Sequence, residues 1–536
     1  MFKSIFLKEW LKLKLTFIFL LISFIAILVY FTFSLNFEFS TIEPESMMWY
    51  RFVELQYKPY FYFFYLYLAM GIIIAFSQFL PEVIAKRIKL TIHLPFSMKQ
   101  IVFSHLLIGI ILLTFICTIF SLGLLGIVAD YYPKQIVQVI FEDTLFYSFA
   151  SIILYICSSS IILEQDKKKF IFKIIFTLLF LFAFTKEEYF LIDSIWFLLL
   201  FFTPFLVLES FYGVKQQNLG KLYNVSFFST LLFLIFLAFL NYKQNYQKEF
   251  HKYYIFYSDI LEEFVYQKNF GEHRFEYGIK DTKTFSQKEY EEYLPFVYYK
   301  DLEIQRKLPI NIKSKDYSAQ EIKDSKLGFE YNFKMLKEKK VELYPLFNPQ
   351  SDIGIIKFPE EFFGIFKDGA YIYDFDNEYL KDKSEDLNQK LKELNFSFPA
   401  KKIWGKTTNI KPFDLGYLIL DNQNRLFNLK KYNDKVELKE IFYPKDIKIA
   451  HISISENKQK NLSAYAIDEN SNFYLLNWDF KFTKLDLKNF DYKNMRLKLV
   501  ADPINYLIRY DDEKNYYATV FSKNNLEKIK EIEFKK

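Results

Sequence analysis

Glycine and proline are scarce in this chain, 14 and 15 of 536 residues, and there are only two cysteines. The phosphate-binding loop G-x-x-x-x-G-K-[ST] does not occur, so the chain offers no backbone nest for nucleotide phosphates. Cys117 and Cys157 both lie within apolar runs, and residues 243–536 have no cysteine at all. That half therefore holds neither a disulfide framework nor a thiolate metal site, and packing must stabilise it. The five histidines are His93, His105, His251, His273 and His451. None stands in H-E-x-x-H, and no G-x-S-x-G elbow is present. No catalytic constellation, cofactor or resident metal is expected, and the chain does not read as an enzyme. His273, between Glu272 and Arg274, reads as part of a solvated loop. Lysines and arginines nowhere interleave with aromatics as a nucleic-acid groove requires. The net charge of +6 accompanies abundant Lys, Asn, Ile, Phe and Tyr, the bias of an AT-rich bacterial genome.

What is present divides the chain in two. Residues 1–242 are dominated by Phe, Leu and Ile, whereas 243–536 carry most of the Lys, Glu, Asp and Asn. A membrane-crossing helix needs ~20 mostly apolar residues, because backbone polar groups in hydrocarbon must be bonded within the segment. Seven stretches meet or approach this: 15–36, 58–80, 101–129, 140–163, 170–185, 190–212 and 223–241. The fifth is short, and a re-entrant pair with the sixth around Lys186-Glu187-Glu188 is the alternative. The expected fold class is thus a polytopic bundle of about seven helices followed by a soluble domain. The first stretch is too long for a cleaved signal peptide and no A-x-A-like site follows it.

Basic residues sort the loops. Lys3, Lys8, Lys12 and Lys14 precede the first span. Lys86, Arg87, Lys89 and Lys99 lie between the second and third, and Lys167, Lys168, Lys169 and Lys173 between the fourth and fifth. Lys215 and Lys221 follow the sixth. The intervening loops are acidic, with Glu38, Glu43, Glu45 and Glu54 in one and Asp130, Glu142 and Asp143 in another. The positive-inside rule then puts the N-terminus in the cytoplasm of a bacterial inner membrane and, after seven spans, the C-terminal domain in the periplasm.

Two segments at the basic side stand out. In FKSIFLKEWLKLK (2–14), helical spacing gathers Phe2, Ile5, Phe6, Trp10 and Leu13 on one side and spreads Lys3, Lys8, Lys12 and Lys14 over the other. Such a helix is expected to lie on the leaflet surface, in contact with lipid, over residues 1–14, with the transmembrane domain at 15–242. In the loop from Pro81 to Leu107, the basic run reaching Lys89 leads to Leu94-Pro95-Phe96-Ser97-Met98-Lys99. Pro95 cannot continue a helix and Ser97 can cap the next one, so a short helix, a sharp turn and a fresh helix start are expected there.

This pairing of a KEW-type amphipathic helix (Phe6, Lys8, Glu9, Trp10) with a basic–LPFS–basic loop resembles the permease subunits of ATP-binding-cassette exporters of the type-two class. The resemblance covers about residues 1–241 as a layout. It implies that the interfacial helix and the loop touch a separate cytoplasmic ATPase, the loop contact falling on Arg87, Leu94, Pro95, Ser97 and Lys99. It also implies two permease halves, a homodimer or a pair with a second subunit. This chain departs from the pattern in lacking a glycine early in the loop and in having a seventh span where six are usual.

Within the spans, His105 lies about a turn from the interface and Ser158, Ser159 and Ser160 can bond back to their own helix, so these read as structural. No dense acidic or basic relay is evident, which argues against a proton-coupled carrier and leaves an apolar path suited to amphiphilic cargo.

In the second half, Asp374, Asp421, Asp468 and Asp511 recur at 47, 47 and 43 residues. Each follows an apolar run and precedes an Asx-rich cluster, with an apolar residue five positions on (Tyr379, Leu426, Phe473, Tyr516). Strand, Asx turn, strand is a hairpin signature, and a hairpin every ~45 residues is the period of a β-propeller blade. A mainly β, propeller-like region is expected over 361–536, and a mixed α/β segment over 243–360, with helical spacing near 285–294 and 380–393. Asp468-x-Asn470-x-Asn472 has the opening of a calcium loop but lacks its glycine and distal Glu, so the acids are expected to satisfy turns. LPFVYYKDL (294–302), Leu308-Pro309, YPLF (344–347) and FPEEFF (358–363) are similar to an uncharacterised bacterial domain family, over about 245–536. The leading expectation is a permease-like subunit of an exporter with a large periplasmic domain. The alternative is a membrane-anchored periplasmic scaffold or binding protein that transports nothing.

Overall fold

The structure, a computed structural model, describes residues 2–41, 48–92, 96–185, 192–214, 225–245, 252–337, 340–349, 356–374, 376–456, 460–512 and 514–535. The chain forms two compact units, Met1–Gln247 and Lys248–Lys536.

The first unit is helical: α1 (Phe2–Thr41), α2 (Met48–Val53), α3 (Phe63–Ile84), α4 (Ile88–Ile92), α5 (Met98–Ala129), α6 (Lys134–Leu163), α7 (Lys167–Thr185), α8 (Ile192–Val214) and α9 (Val225–Asn245). Among the described residues, four helices are long and apolar enough to cross a membrane: α1, α3, α5 and α6. This corrects the expected seven. The described parts of the stretches at 170–185, 190–212 and 223–241 are helical, in α7, α8 and α9, but they are not among these four. Lys167, Lys168, Lys169 and Lys173 occupy the first two turns of α7. Among the described residues the shorter apolar stretches are Leu199–Val214 of α8 and Val225–Phe239 of α9.

α1 is one unbroken helix, so residues 2–14 continue directly into the first span. Its buried stripe runs Ile5, Glu9, Leu13, Leu20, Phe24, Phe31 and Leu35, at the four- and seven-residue spacings of one helix face. Phe24 packs on Phe120 of α5 and Phe31 on Phe63 of α3. Two glycines allow close helix approach. A Cβ on Gly71 of α3 would lie 2.3 Å from the Ser151 carbonyl oxygen of α6, and one on Gly109 of α5 would lie 2.0 Å from the Tyr155 hydroxyl. Ser97 caps α5 in a capping box, accepting from the Gln100 N–H while the Gln100 side chain accepts from the Ser97 N–H.

The second unit is mainly β. A four-stranded meander holds β1 (Lys252–Ser258), β2 (Glu263–Asn269), β3 (Phe275–Ile279) and β4 (Lys283–Phe285). Short helices at Gln287–Glu292, Tyr299–Ile304 and Ala319–Ser325 flank a hairpin of β5 (Ile310–Ile312) and β6 (Lys315–Tyr317). Next come β7 (Leu327–Tyr331) and a three-stranded sheet of β8 (Tyr344–Pro345), β9 (Glu361–Phe366) and β10 (Gly369–Asp374), followed by the helix Lys381–Glu393. Two more four-stranded meanders follow. One is β11 (Lys402–Trp404), β12 (Tyr417–Leu420), β13 (Leu426–Tyr432) and β14 (Lys435–Ile441). The other is β15 (Ile449–Ile454), β16 (Leu462–Asp468), β17 (Phe473–Asn477) and β18 (Phe482–Leu485). The last sheet joins β19 (Arg496–Ala501), β20 (Asn505–Asp511), β21 (Asn515–Ser522) and β22 (Lys528–Lys535), with β7 added beside β19.

The meanders have the strand count of propeller blades, but they form no closed ring or barrel, which corrects the propeller expectation. Apolar clusters join β8–β10 to β11–β14, β11–β14 to β15–β18, β15–β18 to β7/β19–β22, and β20–β22 to β1–β2. This is an open row of sheets with two ends. The strand β7 also shows that residues before 360 contribute to the final sheet.

The recurrent aspartates make turns. Oδ1 of Asp374, Asp421 and Asp468 each accepts the N–H groups two and four residues on. The residue three on has positive φ: Asn377, Asn424 and Ser471. At the fourth repeat the role passes to Asp512, which accepts from Lys514 and Asn515. The first repeat closes with a single bridge, Tyr373 to Tyr379, before the helix begins.

Candidate functional site

The loop singled out from sequence is a short helix between two long ones. α3 ends at Ile84, Lys86 adopts φ +53°, α4 follows, and Ser97 starts α5. Arg87, Ser97 and Lys99 are exposed. Leu94 and Pro95 lie outside the described residues.

Directly behind this loop lies an arrangement that the loop-sorting logic missed. Glu9 of α1 is fully buried, as are Gln78 and Glu82 of α3 and His105 of α5. Lys12 Nζ sits 2.7 Å from Glu9 Oε2 and 3.0 Å from Glu82 Oε1, and donates to the Gln78 carbonyl at 3.1 Å. Lys8 reaches Glu82 at 3.1 Å. His105 Nε2 is 3.6 Å from Glu9 Oε1, and its Nδ1 lies 2.8 Å from the Ile101 carbonyl. The Gln78 side chain donates to the His105 carbonyl at 2.9 Å and accepts from the Tyr155 hydroxyl of α6 at 2.6 Å. Two lysines face two glutamates, so the knot is balanced, and it ties four helices together. The site thus unites Lys8 and Glu9 of the expected interfacial helix. Trp10 is half-buried against Phe17, and Phe6 is 36% exposed. His105 does not reach water at an interface, because α1 and α3 cover it. Its burial corrects the purely peripheral reading.

A second knot lies beyond the end of α6. Lys173 of α7 is 1% exposed and donates to Glu164 Oε2 at 2.6 Å, to Ser210 Oγ at 2.6 Å and to the Leu206 carbonyl at 2.9 Å. Its Nζ is 3.5 Å from Glu209 Oε2 and Lys169 is 3.4 Å from Glu209 Oε1. Ser226 of α9 donates its N–H to Glu209. Here too two lysines meet two glutamates, at the ends of the helices. Ser159 and Ser160 do bond back to their own helix, donating to the Tyr155 and Cys157 carbonyls. The signal that could have revealed both knots was a lone Glu near each helix end on the lysine-rich side: Glu9, Glu82, Glu164 and Glu209.

The other end of α1, α3, α5 and α6 is aromatic. Phe39 packs on Tyr131 and Tyr132, Phe52 on Tyr60, and the Tyr60 hydroxyl donates to Asp143, which also pairs with Lys58 at 2.6 Å. From Lys12 to Phe39 is about 40 Å along the helix at 1.5 Å per residue, and from Tyr60 to Glu82 about 33 Å. An ionic layer and a tyrosine-rich layer at this separation match the two interfaces of a bilayer.

In the β unit, Asp259 is buried and accepts from the Asn505 amide at 3.0 Å and from Lys313 at 3.0 Å. Burial and the charge of Asp259 push Asp502 up to about 6, and burial brings the Lys523 ammonium down to about 8. Elsewhere Lys411 lies between Asp414 (2.5 Å) and Glu456 (3.3 Å), all nearly inaccessible, and burial pushes Glu456 up to about 7. Among the described residues no group of three or more His, Cys, Asp or Glu is arranged to hold a metal ion.

Residues 254–519 match the model of a domain of unknown function, DUF4857. The match falls within the β unit and no permease family model matches the helical unit. No curated relative and no solved structure matches the chain.

Proposed function

We propose that this chain is a permease-like subunit of an ATP-binding-cassette exporter, moving amphiphilic cargo and drawing ATP hydrolysis from a separate cytoplasmic subunit. The observation that supports it is the ionic knot behind the α3–α4–α5 loop. Glu82, at the base of that loop, is latched to α1 through Lys8 and Lys12, so a push on Arg87–Lys99 is delivered to α1 and, through Gln78 and Tyr155, to α6. A buried, balanced charge network has few alternative partners within an apolar bundle, which makes it a stiff link or a two-position switch rather than a soft contact.

In this reading the ionic layer lies at the cytoplasmic face, where the positive-inside rule puts the lysines. To carry the DUF4857 unit to the periplasm, an odd number of α7–α9 must also cross, as short spans in a locally thinned bilayer held by the Lys173 knot. There it receives or releases cargo or docks an envelope partner. Two such subunits, or one with a second permease, would form the path.

Two experiments test this. Affinity purification of the tagged chain in mild detergent is expected to bring down a nucleotide-binding subunit, and Ser97→Arg or Lys99→Glu is expected to release it. Failure of any ATPase to co-purify refutes the reading. Cysteines introduced at Lys89 and at Lys435 are expected to label from opposite sides of sealed vesicles, since native Cys117 and Cys157 are buried. Labelling from one side refutes the placement of the β unit.

A further inference from the structure

β1 ends its sheet, and its outer edge overlooks a step. The meander β1–β4 packs on the last sheet through Ile255, Tyr257 and Phe264 against Leu507, Ala518 and Val520, so it covers β20 and β21. The strands β19 and β7 extend past it. On their uncovered face Lys498 and Glu330 are exposed, while Leu497, Leu499, Phe329 and Tyr331 on the other face are buried. At the step lies a cleft of about 360 Å³, floored by Arg496, Lys498, Arg509 and Glu330 and walled by Lys252–Ile255.

Among the described residues the charges in this cleft do not balance. Arg496 pairs with Asp511 at 2.8 Å and Lys498 pairs with Glu330. Arg509 has no carboxylate within ion-pair reach among the described residues, and nor does Lys252. The Arg509 guanidinium stacks over Phe256 at 4.7 Å and donates once, at 3.4 Å, to the Ile255 carbonyl. Burial alone lowers its affinity for its proton, and most of its five N–H donors have no partner here. The bond to Ile255 also shows that this carbonyl points away from β2. In an antiparallel ladder, neighbouring residues alternate in direction, so Tyr253 and Ile255 present their N–H and C=O groups to the cleft.

We propose that this step is a docking site for an extended acidic peptide segment, which adds to β1 as a fifth strand and sets one carboxylate on Arg509 and another on Lys498 in place of the exposed Glu330. A strand added beside β1 lies about 4.8 Å away, over β19, where alternate side chains point down at the cations. The charge selects the occupant. Pairing β1 with β1 of a second copy would bring a second Arg509 and Lys252 to the same basic edge, and basic edges discourage self-association, whereas an acidic strand neutralises the surplus. The inference stands apart from the transport reading and survives its failure.

The test uses the full chain in detergent and a fluorescent hexapeptide of alternating Glu and Val, followed by anisotropy. Binding is expected to weaken about tenfold in Arg509→Gln, the loss of one charge-assisted bidentate contact. Lys498→Gln, on an exposed side chain, should weaken it severalfold. Methylating alternate peptide amides should abolish binding, because strand pairing needs those donors. Equal binding of a Lys-Val peptide, equal binding of the methylated peptide, or indifference to Lys498→Gln would each overturn the proposal. Sedimentation showing that the edge is instead closed by a second copy would also overturn it.

Discussion

Lys12→Met is the sharpest probe of the helical unit. Lys12 has 15% side-chain exposure and bridges Glu9 and Glu82, whose side chains are 0% and 6% exposed. Methionine keeps the length and apolar stem and removes only the charge. Glu9 then has no lysine nearer than Lys8 at 4.0 Å, and Glu82 keeps Lys8 alone. Removing one partner of a buried ion pair leaves a charge uncompensated and costs about 3–5 kcal/mol. For a unit of 247 residues, about 2–4 °C per kcal/mol gives a fall of roughly 6–20 °C in melting temperature. The assay is thermal denaturation in detergent followed by size-exclusion chromatography. The double variant Lys12→Met/Glu9→Gln restores charge balance, leaving Lys8 with Glu82, and is expected to recover about half of the loss. A shift under 2 °C for the single variant, or a double variant that simply adds two losses, would refute the claim that the knot holds α1 to α3.

Gly109→Ala places a Cβ 2.0 Å from the Tyr155 hydroxyl and 2.5 Å from Gln78 Oε1; overpacking of this kind should cost about 1–3 kcal/mol in the same assay, and Tyr155→Phe in the same chain should relieve part of it. Asp421→Ala removes acceptors for the Gln423, Arg425 and Ser397 N–H groups and for the Arg425 guanidinium. A loss of about 2–3 kcal/mol is expected in urea unfolding of the β unit, while millimolar calcium should leave the wild-type midpoint unchanged. Glu456 is raised from 4.5 to about 7 by burial. The folded state therefore holds its proton where the unfolded chain has lost it, and stability should fall as pH rises from about 4.5 to about 7 and level off above that. Glu456→Gln should flatten the slope; a slope of opposite sign would mean that attraction to Lys411 outweighs desolvation.

The helices and hairpins were largely legible because each rests on a local rule. Uninterrupted apolar runs became α1, α3, α5 and α6. Ser97 after Pro95 announced the start of α5, and the aspartate repeat announced turns at 421 and 468 to within a residue. The fourth repeat slipped by one, to Asp512, because Lys514 and Asn515 bring their N–H groups to that side chain and not to Asp511. The seven-span count fell to four among the described residues, and α7 opens on a run of lysines. The ring of blades failed because a period specifies the repeating unit but not the angle between units. The site was half visible. Lys8, Glu9 and Ser97 were named for their positions along the chain, but the partners that give Lys8 and Glu9 their meaning, Glu82, Gln78, His105 and Tyr155, lie 70 to 147 residues away.

By itself the sequence determined that the first half is apolar and helical, that its lysines gather at one side, and that the second half is built of Asx-turned hairpins, since hydrophobic periodicity and turn chemistry act within a few residues. Only the tertiary structure decided which acid meets which lysine, that the sheets stand in an open row, and that β1 ends its sheet beside Arg509. Those outcomes depend on long-range packing, where a rotation of one helix or sheet changes every partner while leaving the local pattern untouched.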